Sequence, residues 1–432
     1  MTPVVTGYIG IAALLIILIS EMPIGYSMAL IGFLGFLYIN GFEPALGLLK
    51  QVPYEFFSSY NLSVVPLFLL MGSFALTAGL NEKLYRIVYK WLGHFRGGLA
   101  MATIGGCAFF SAISGSSVAT AATMATVALP EMRKYNYAPT LATGSVAAGG
   151  TIGILIPPSV ILIIYGIIAE QSIGKLFLAG FLPGVLEAVF YVLTIAIVVR
   201  ISPNLGPRGP KFHFREKLAD LGNVWEVTVL FICVIGGIYS GAFTPTEAGG
   251  VGAFGAFFFA IIRKRLSWKN FWESLLATTK NTGMCFIIVM GAMVFGYFLA
   301  VSRVPFDMAS FVSELPVNRY IILWIILMIL ALLGCVMDSM AIVLLTVPIF
   351  FPVIMRLGFD PIWFGILTVR VTEMGLITPP IGLNVYIIKG ISGLPMGTVF
   401  RGVIPFIIAD ICHIALLIAF PSISLFLPNL MD

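Results

Sequence analysis

Charge is scarce in this chain. Asp, Glu, Lys and Arg make up 10% of its 432 residues against 59% hydrophobic, and mean hydropathy is +1.05. A soluble domain could not cover that much apolar surface, so the chain reads as an integral membrane protein. The formal charge of +5 is no nucleic-acid signal, because the Lys and Arg residues fall in a few short loops, the footprint of orientation in a bilayer. Histidine is scarcer still. Of three, His94 and His213 lie in interfacial or loop segments, which leaves His413 as the sole candidate base for a buried nucleophile. The five cysteines (Cys107, Cys233, Cys285, Cys335, Cys412) sit in apolar segments without metal-like spacing and read as buried hydrophobes, not disulfides or ligands. No Gly-x-x-x-x-Gly-Lys-Ser/Thr stretch exists to hold a nucleotide, which disfavours a primary pump. The first apolar run, Val4–Ser20, has no basic n-region, since nothing before Lys50 is basic; it is expected to be a retained helix.

Proline, by contrast, is plentiful, and it organises the chain. Gly149–Ser159 (Gly-Gly-Thr-Ile-Gly-Ile-Leu-Ile-Pro-Pro-Ser) and Glu373–Asn384 (Glu-Met-Gly-Leu-Ile-Thr-Pro-Pro-Ile-Gly-Leu-Asn) each set a Pro-Pro pair inside a membrane-length apolar run. Proline removes a backbone donor and clashes with the preceding turn, so each helix must break there. Freed backbone groups at membrane depth are tolerated where they are buried in protein or line a wet cavity. A shift of 222 positions carries Pro157 and Pro158 onto Pro379 and Pro380. It also carries Pro130 to Pro352, Pro139 to Pro361, Pro183 to Pro405, Gly153 to Gly375 and Gly180 to Gly402. Coincidences on that scale point to an internal repeat.

The length suits roughly ten to twelve membrane elements in an all-α architecture. Residues 1–61 hold two helices, Val4–Ser20 and Ile24–Ile39, joined by a turn with Glu21 and Pro23, and a mixed surface segment Asn40–Asn61. The first repeat, 62–200, opens with the span Leu62–Leu80 and the amphipathic, basic Asn81–Gly97, suited to the cytoplasmic interface. Segment 98–130 has basic residues at both flanks, so both of its ends belong on one side. It is read as a re-entrant hairpin with its tip at Ser114–Ser117. A broken helix, 139–169, and the return span Ile173–Val199 complete this repeat.

Residues 201–280 supply a basic connecting loop, the spans Val224–Gly241 and Glu247–Ile262, and a surface helix around Trp268–Ala277. The second repeat, 281–427, begins with the span Gly283–Ala300. It then has a hairpin at 320–355 with its tip at Gly334–Ser339, a broken helix at 361–388 and a last helix near Val399–Leu427. The flanks of the second hairpin lack the positive excess of the first and belong outside, so the repeat is expected to be inverted.

Inverted repeats with hairpins and discontinuous helices meeting near the midplane are the physical pattern of a secondary transporter. Half-helix ends offer carbonyls to a small hard cation such as Na⁺ and N–H groups to an anion. Ser114, Ser116, Ser117 and Thr120 at the first tip, with Thr151 and Ser159 at the first break, fit this chemistry. So do Asp338 and Ser339 at the second tip, with Thr372, Thr378 and Asn384 around the second break. The bland alternative is that the small residues of Ser111–Ala128 serve close packing. Arg370 is either a bidentate clamp for a substrate carboxylate or the partner of Glu373, three residues on. Asp338 is either a cation ligand or a helix N-cap. Asp410 and His413 share a helix face and read as a mutually satisfied pair.

The chain resembles the large membrane subunit of the tripartite ATP-independent periplasmic (TRAP) transporters. The resemblance runs through Gly115-Ser116-Ser117-Val118-Ala119-Thr120, the Gly149–Ser159 break, Phe243-Thr244-Pro245-Thr246-Glu247-Ala248 and Thr378-Pro379-Pro380-Ile381-Gly382-Leu383-Asn384. It implies a multi-pass protein of the bacterial inner membrane that imports small organic acids coupled to Na⁺. The motion would be of elevator type, with hairpins and broken helices moving against a scaffold that includes 1–61. Both termini would be periplasmic. The partners implied are a separate small membrane (Q) subunit of about four helices, for which this chain has no room, and a periplasmic substrate-binding (P) protein. The cation sites implied fall on Ser116, Ser117, Gly149, Thr151, Ile154 and Pro157, and on Gly334, Met337, Asp338, Ser339, Thr372, Gly375 and Thr378. A substrate carboxylate is expected at Ser114, Ser116, Ser159, Arg370 and Asn384.

Two other readings stand beside this one. A stand-alone divalent anion–sodium symporter shares hairpins and inverted repeats, but lacks a reason for the Thr-Pro-Thr-Glu-Ala stretch. An intramembrane serine protease would use Ser117 with His413, and gives no reason for a duplicated architecture.

Overall fold

Several helices of this protein start at a chemical signal in the sequence. Hydroxyl and carboxylate side chains cap the first turns: Ser116 accepts from the Ala119 N–H, Ser159 from Leu162, Ser172 from Lys175, Asp338 from Ala341 and Asp360 from Trp363. Such caps satisfy donors that the helix itself leaves without partners, and each is worth about 0.5–2 kcal/mol. Thr244 and Glu247 form a reciprocal capping box ahead of Pro245. The structure is a computed structural model. It describes residues 2–20, 22–222 and 225–430, with the side chains of 19, 81–83, 112–114, 218–221 and 313 left aside. Glu21, Val224 and the side chain of Ser114 thus lie outside the described residues.

The first half runs α1 (Pro3–Ile19), α2 (Ile24–Asn40), α3 (Phe42–Ser58), α4 (Val64–Thr77), α5 (Leu80–Leu92), α6 (Gly98–Ser114), α7 (Ser117–Lys134), α8 (Pro139–Ile152), α9 (Val160–Ile168) and α10 (Ile173–Ile201). The second runs α11 (Phe214–Leu221), α12 (Trp225–Phe231), α13 (Gly237–Tyr239), α14 (Pro245–Ile262), α15 (Trp268–Ser302), α16 (Val304–Glu314), α17 (Arg319–Gly334), α18 (Ser339–Arg356), α19 (Pro361–Gly375), α20 (Leu383–Ser392), α21 (Met396–Ala419) and α22 (Ser422–Leu425). Among the described residues there is no strand, only an isolated bridge between Arg96 and Arg208 that pins the joint between the halves to the α5–α6 turn. Six of the described helices are long and apolar enough to cross a membrane, and five more are shorter apolar helices.

The element bounds recur at the offset seen among the prolines. Shifted by 222, α7 becomes α18 residue for residue, the start of α8 becomes the start of α19, and the cap Ser116 becomes the cap Asp338. Both Pro-Pro bonds, Pro157–Pro158 and Pro379–Pro380, are cis. The recurrence reaches α2, whose end at Asn40 maps onto the end of α14 at Ile262.

Small residues set how closely the helices approach. A methyl group on Gly144 of α8 would lie 2.2 Å from the Gly402 carbonyl oxygen of α21, and one on Gly291 of α15 would lie 2.1 Å from the Gly25 carbonyl oxygen of α2. In a bilayer, where neighbouring helices gain little from apolar burial, close packing of this kind is one of the forces that hold helices together.

Three details differ from the sequence reading. The surface helix at Trp268–Ala277 and the span Gly283–Ala300 are one continuous 35-residue helix, α15. Nothing between them carries a proline, so a change in amphipathicity alone does not end a helix. The last helix stops at Ala419, ahead of Pro421, not near Leu427. Of the five cysteines, Cys107, Cys285 and Cys335 are buried, but Cys233 and Cys412 lie on outward-facing surfaces. Apolar neighbours in sequence identify a membrane segment without saying which of its faces meets protein.

Candidate ion and substrate site

Both hairpins form as antiparallel helix pairs, α6 with α7 and α17 with α18. The chain turns between α6 and α7 at Gly115, whose φ of +62° is left-handed backbone that a side chain would strain. Each tip sits against the break of its own half. A methyl group on Gly115 would come within 3.6 Å of the Pro158 carbonyl oxygen. At the second tip the Gly382 N–H donates to the Cys335 carbonyl at 3.2 Å. Gly334 and Gly375 meet so closely that a methyl group on Gly375 would lie 2.5 Å from Gly334 backbone. The helices beyond the breaks then cross over: α9 packs on α18 of the second hairpin, and α20 packs on α7 of the first. The four half-helix ends therefore converge.

The sequence-predicted residues gather here. Ser116 caps α7, and its carbonyl accepts from the Thr120 hydroxyl at 2.8 Å. Asp338 caps α18 through Oδ1, 3.0 Å from the Ala341 nitrogen, so the N-cap reading of Asp338 is realised. Its residue also lines a cavity of about 1010 Å³ between α2, α15 and the second tip, shared with Tyr26, Thr279, Lys280 and Met337. Ser159 is buried and caps α9. Thr151 and Thr372 donate to carbonyls of their own helices, Ala148 and Val369, and Thr378, just past α19, donates to the Met374 carbonyl, all at 2.7–2.9 Å. Asn384 is buried, donates weakly to the Ala147 carbonyl at 3.5 Å and keeps Oδ1 without a hydrogen-bond partner. A methyl group on Gly150 would lie 3.2 Å from both the Asn384 amide nitrogen and the Ser117 carbonyl oxygen, which puts α7, α8 and α20 side by side. Gly149 faces Cys107, where it serves packing.

The two breaks differ in exposure. Thr151 to Ser159, with Ile154 and Pro157, is wholly buried, whereas Pro379, Pro380 and Ile381 are exposed.

The charged residues pair otherwise than the sequence suggested. Arg370 does not bind Glu373. Its guanidinium reaches Glu187 Oε1 of α10 at 3.2 Å through Nη1 and binds Asp410 Oδ1 of α21 through Nη2, and Arg370 Nη2 also donates to the Tyr191 hydroxyl at 3.2 Å. Arg370, Glu187 and Asp410 are completely buried. The Tyr191 hydroxyl continues to Thr151 at 3.2 Å, so this cluster touches the first break. Asp410 accordingly does not pair with His413, which packs against Phe190 with ring centroids 5.6 Å apart.

Glu373, released from Arg370, accepts from Ser339 at 2.6 Å and from Ser117 at 3.4 Å. Ser117 thus has a carboxyl partner where the protease reading needs an imidazole. Sequence reasoning gave Glu187 and Tyr191 no place in the site, and gave Glu373 one only as a candidate partner of Arg370. A glutamate inside the 29-residue apolar helix α10 was the available signal, since a charge at membrane depth must be paired or used.

Among the described residues no group of three His, Cys, Asp or Glu could hold a metal. The donors that do converge are carbonyl, hydroxyl, amide and carboxyl oxygens, with Asn384 Oδ1 and Glu373 Oε2 buried and without hydrogen-bond partners. An all-oxygen set of this kind suits a hard cation and not a soft transition metal.

The comparisons with known proteins agree with this architecture. The solved Alcanivorax borkumensis YdaH transporter superposes with a TM-score of 0.68 over 89% of this chain and 90% of its own, at 14% identity, which shows a shared fold. Among curated proteins, the C4-dicarboxylate TRAP transporter large permease protein DctM of Pseudomonas aeruginosa is 38% identical over 377 residues, 87% of this chain and 88% of that one. The sialic acid TRAP transporter large permease protein SiaM of Vibrio cholerae is 33% identical over 419 residues, 96% of each. The family model for the DctM component of the tripartite ATP-independent periplasmic transporters matches residues 11–423. This chain, a multi-pass membrane protein and a transporter subunit, not an enzyme, therefore belongs to the large-permease family of the TRAP transporters.

Proposed function

We propose that the chain imports small organic acids across the bacterial inner membrane, coupled to an inward Na⁺ gradient. The observation that carries this reading is the convergence of two tips and two breaks on one oxygen-rich locus, each tip seated against the break of its own half. Related permeases are named for C4-dicarboxylates and sialic acid, and a carboxylate is the group these share. Na⁺ would be held at the first tip and break by oxygens of Ser116, Ser117, Gly149, Thr151, Ile154 and Pro157. It would be held at the second by Gly334, Met337, Asp338, Ser339, Thr372, Gly375 and Thr378. The substrate carboxylate would meet the N-terminal ends of the half-helices near Ser114, Ser116, Ser159 and Asn384, where the helix dipoles favour an anion. Arg370, engaged by two carboxylates, would set the positions of α10, α19 and α21 and act on substrate only through them.

In this reading the hairpins, α8–α9 and α19–α20 move as one block in an elevator-type exchange. The remaining helices, residues 1–61 among them, stand as scaffold, and the inverted halves leave both termini periplasmic. A small membrane (Q) subunit of about four helices would extend the scaffold, and a periplasmic substrate-binding (P) protein would deliver the acid.

The test is uptake of labelled organic acids into proteoliposomes holding the three proteins, with and without an inward Na⁺ gradient. Uptake that needs Na⁺ and all three proteins, and that falls at least tenfold in Ser116→Ala and Asp338→Ala, is expected. Uptake indifferent to Na⁺ and to the binding protein would refute the coupling.

A further inference from the structure

The two halves contribute one serine each to a single acceptor. Ser117 opens α7 and Ser339 opens α18, and the offset of 222 that relates the hairpins relates these two residues. Both hydroxyls donate to Oε1 of Glu373, at 3.4 and 2.6 Å. Glu373 lies in α19, two residues before Gly375, where α19 meets the second tip. All three residues are buried, Glu373 completely. Hydrogen bonds to a carboxyl group in a dry environment are worth more than exposed ones, and a buried oxygen left without its donors is costly. The carboxyl also sits between the positive ends of two helix dipoles, which favours it over a neutral apolar side chain.

From this geometry we infer that Glu373 is a positioning residue that ties the two hairpin tips into one unit, so that cations at the two tips bind cooperatively. The inference rests on the Na⁺ reading above, but the tie itself does not. A change in Ser117 pulls on Oε1, and the same oxygen holds Ser339. The first turn of α7 therefore cannot shift without loading the first turn of α18. The caps beside these serines, Ser116 and Asp338, belong to those same turns.

The experiment has two parts on the complete three-protein transporter. In the first, uptake is titrated with Na⁺ for wild type, Glu373→Ala, Glu373→Gln, Ser117→Ala, Ser339→Ala and the double serine variant, with thermal midpoints measured alongside. Wild type is expected to show a Hill coefficient above one. Glu373→Ala should lower it to one and raise half-saturating Na⁺ about tenfold, and Glu373→Gln, which keeps an acceptor oxygen, should restore cooperativity. Each serine substitution should lower the Hill coefficient to one and the double variant no further, because either one opens the tie, whatever each hydroxyl adds to affinity at its own tip. A cooperative curve in Glu373→Ala, equal loss in the Gln and Ala variants at wild-type thermal midpoint, or a Hill coefficient left above one by either serine substitution would each overturn the inference.

In the second part, nitroxide labels at Val118→Cys and Met340→Cys, in a background without the five native cysteines, report the tip-to-tip distance. A single narrow distribution that broadens in Glu373→Ala is expected, and an unchanged distribution would overturn the tie. If wild-type uptake ignores Na⁺ while this broadening is seen, the Na⁺ reading fails and the tie stands.

Discussion

Removing the guanidinium of Arg370 should be among the most damaging single changes available in this chain. Arg370 is completely buried between Glu187 and Asp410, also completely buried, on two other helices. Arg370→Met keeps most of the side-chain volume and leaves two carboxylates without their cation. Breaking a buried pair by deleting one partner costs about 3–5 kcal/mol, because the remaining charge has neither water nor counter-ion. Here two carboxylates are stranded, so the upper end of that range applies. At roughly 2 °C per kcal/mol for a large domain, the thermal midpoint should fall by about 10 °C. The assay is thermal unfolding in detergent, with Arg370→Met, Asp410→Asn and the triple variant Arg370→Met/Glu187→Leu/Asp410→Leu side by side. Asp410→Asn removes one of two negative charges and keeps the Glu187 contact, so its loss should be less than half as large. The triple variant replaces all the charges by apolar volume and should recover most of the midpoint, since buried ion clusters rarely outperform well-packed apolar substitutes. An Arg370→Met midpoint within 1 or 2 °C of wild type would show that water or another cation serves these carboxylates, and would refute the argument.

Other outcomes follow from the same kind of contact. Gly144→Ala should destabilise the α8–α21 crossing by about 1–3 kcal/mol, read as a lowered thermal midpoint, because its methyl group would lie 2.2 Å from the Gly402 carbonyl oxygen. Gly174→Ala, whose methyl group would meet nothing nearer than 3.4 Å, is the control and should not lower the midpoint. Ser159→Ala should cost about 0.5–2 kcal/mol through loss of the α9 cap, read in the same melt. Glu226→Gln should loosen the end of α14, because Glu226 holds Arg263 at 2.7 Å and Arg263 also reaches the Ala78 carbonyl at 3.3 Å. Proteolysis at the neighbouring Lys264 and Arg265 should speed up in that variant, and an unchanged cleavage rate would count against the pair.

The architecture was legible because its determinants are local. Proline breaks a helix wherever it sits, so Pro157, Pro158, Pro379 and Pro380 located both discontinuities without any knowledge of the neighbours. Basic flanks and a small polar tip located the first hairpin in the same way. The partners of the charges were not local. Arg370 binds residues 183 positions upstream and 40 downstream, while Glu373, the partner suggested by sequence proximity, points to the hairpin tips instead. A spacing of three residues allows contact on a helix but does not choose it over tertiary partners. The continuity of α15 was hidden for a related reason. Its amphipathic start and apolar remainder suggested two environments, and one helix can pass through both.

The crossing-over of the helices beyond the breaks has a consequence for how the chain is made. Because α9 packs on α18 and α20 packs on α7, each half holds a segment whose seat belongs to the other, like two clasped hands. A ribosome delivers the amino-terminal half first, with α9 finished while α18 is still unsynthesised. Until the carboxy-terminal half arrives, α9 has α4 and α10 to pack on but lacks the seat that α18 supplies, and the serine opening α7 has no carboxyl to meet. Neither hand can close alone, so these two shared seats are completed only once α18 and α20 have entered the bilayer, whereas contacts such as α5–α6 and α7–α8 need nothing from the second half.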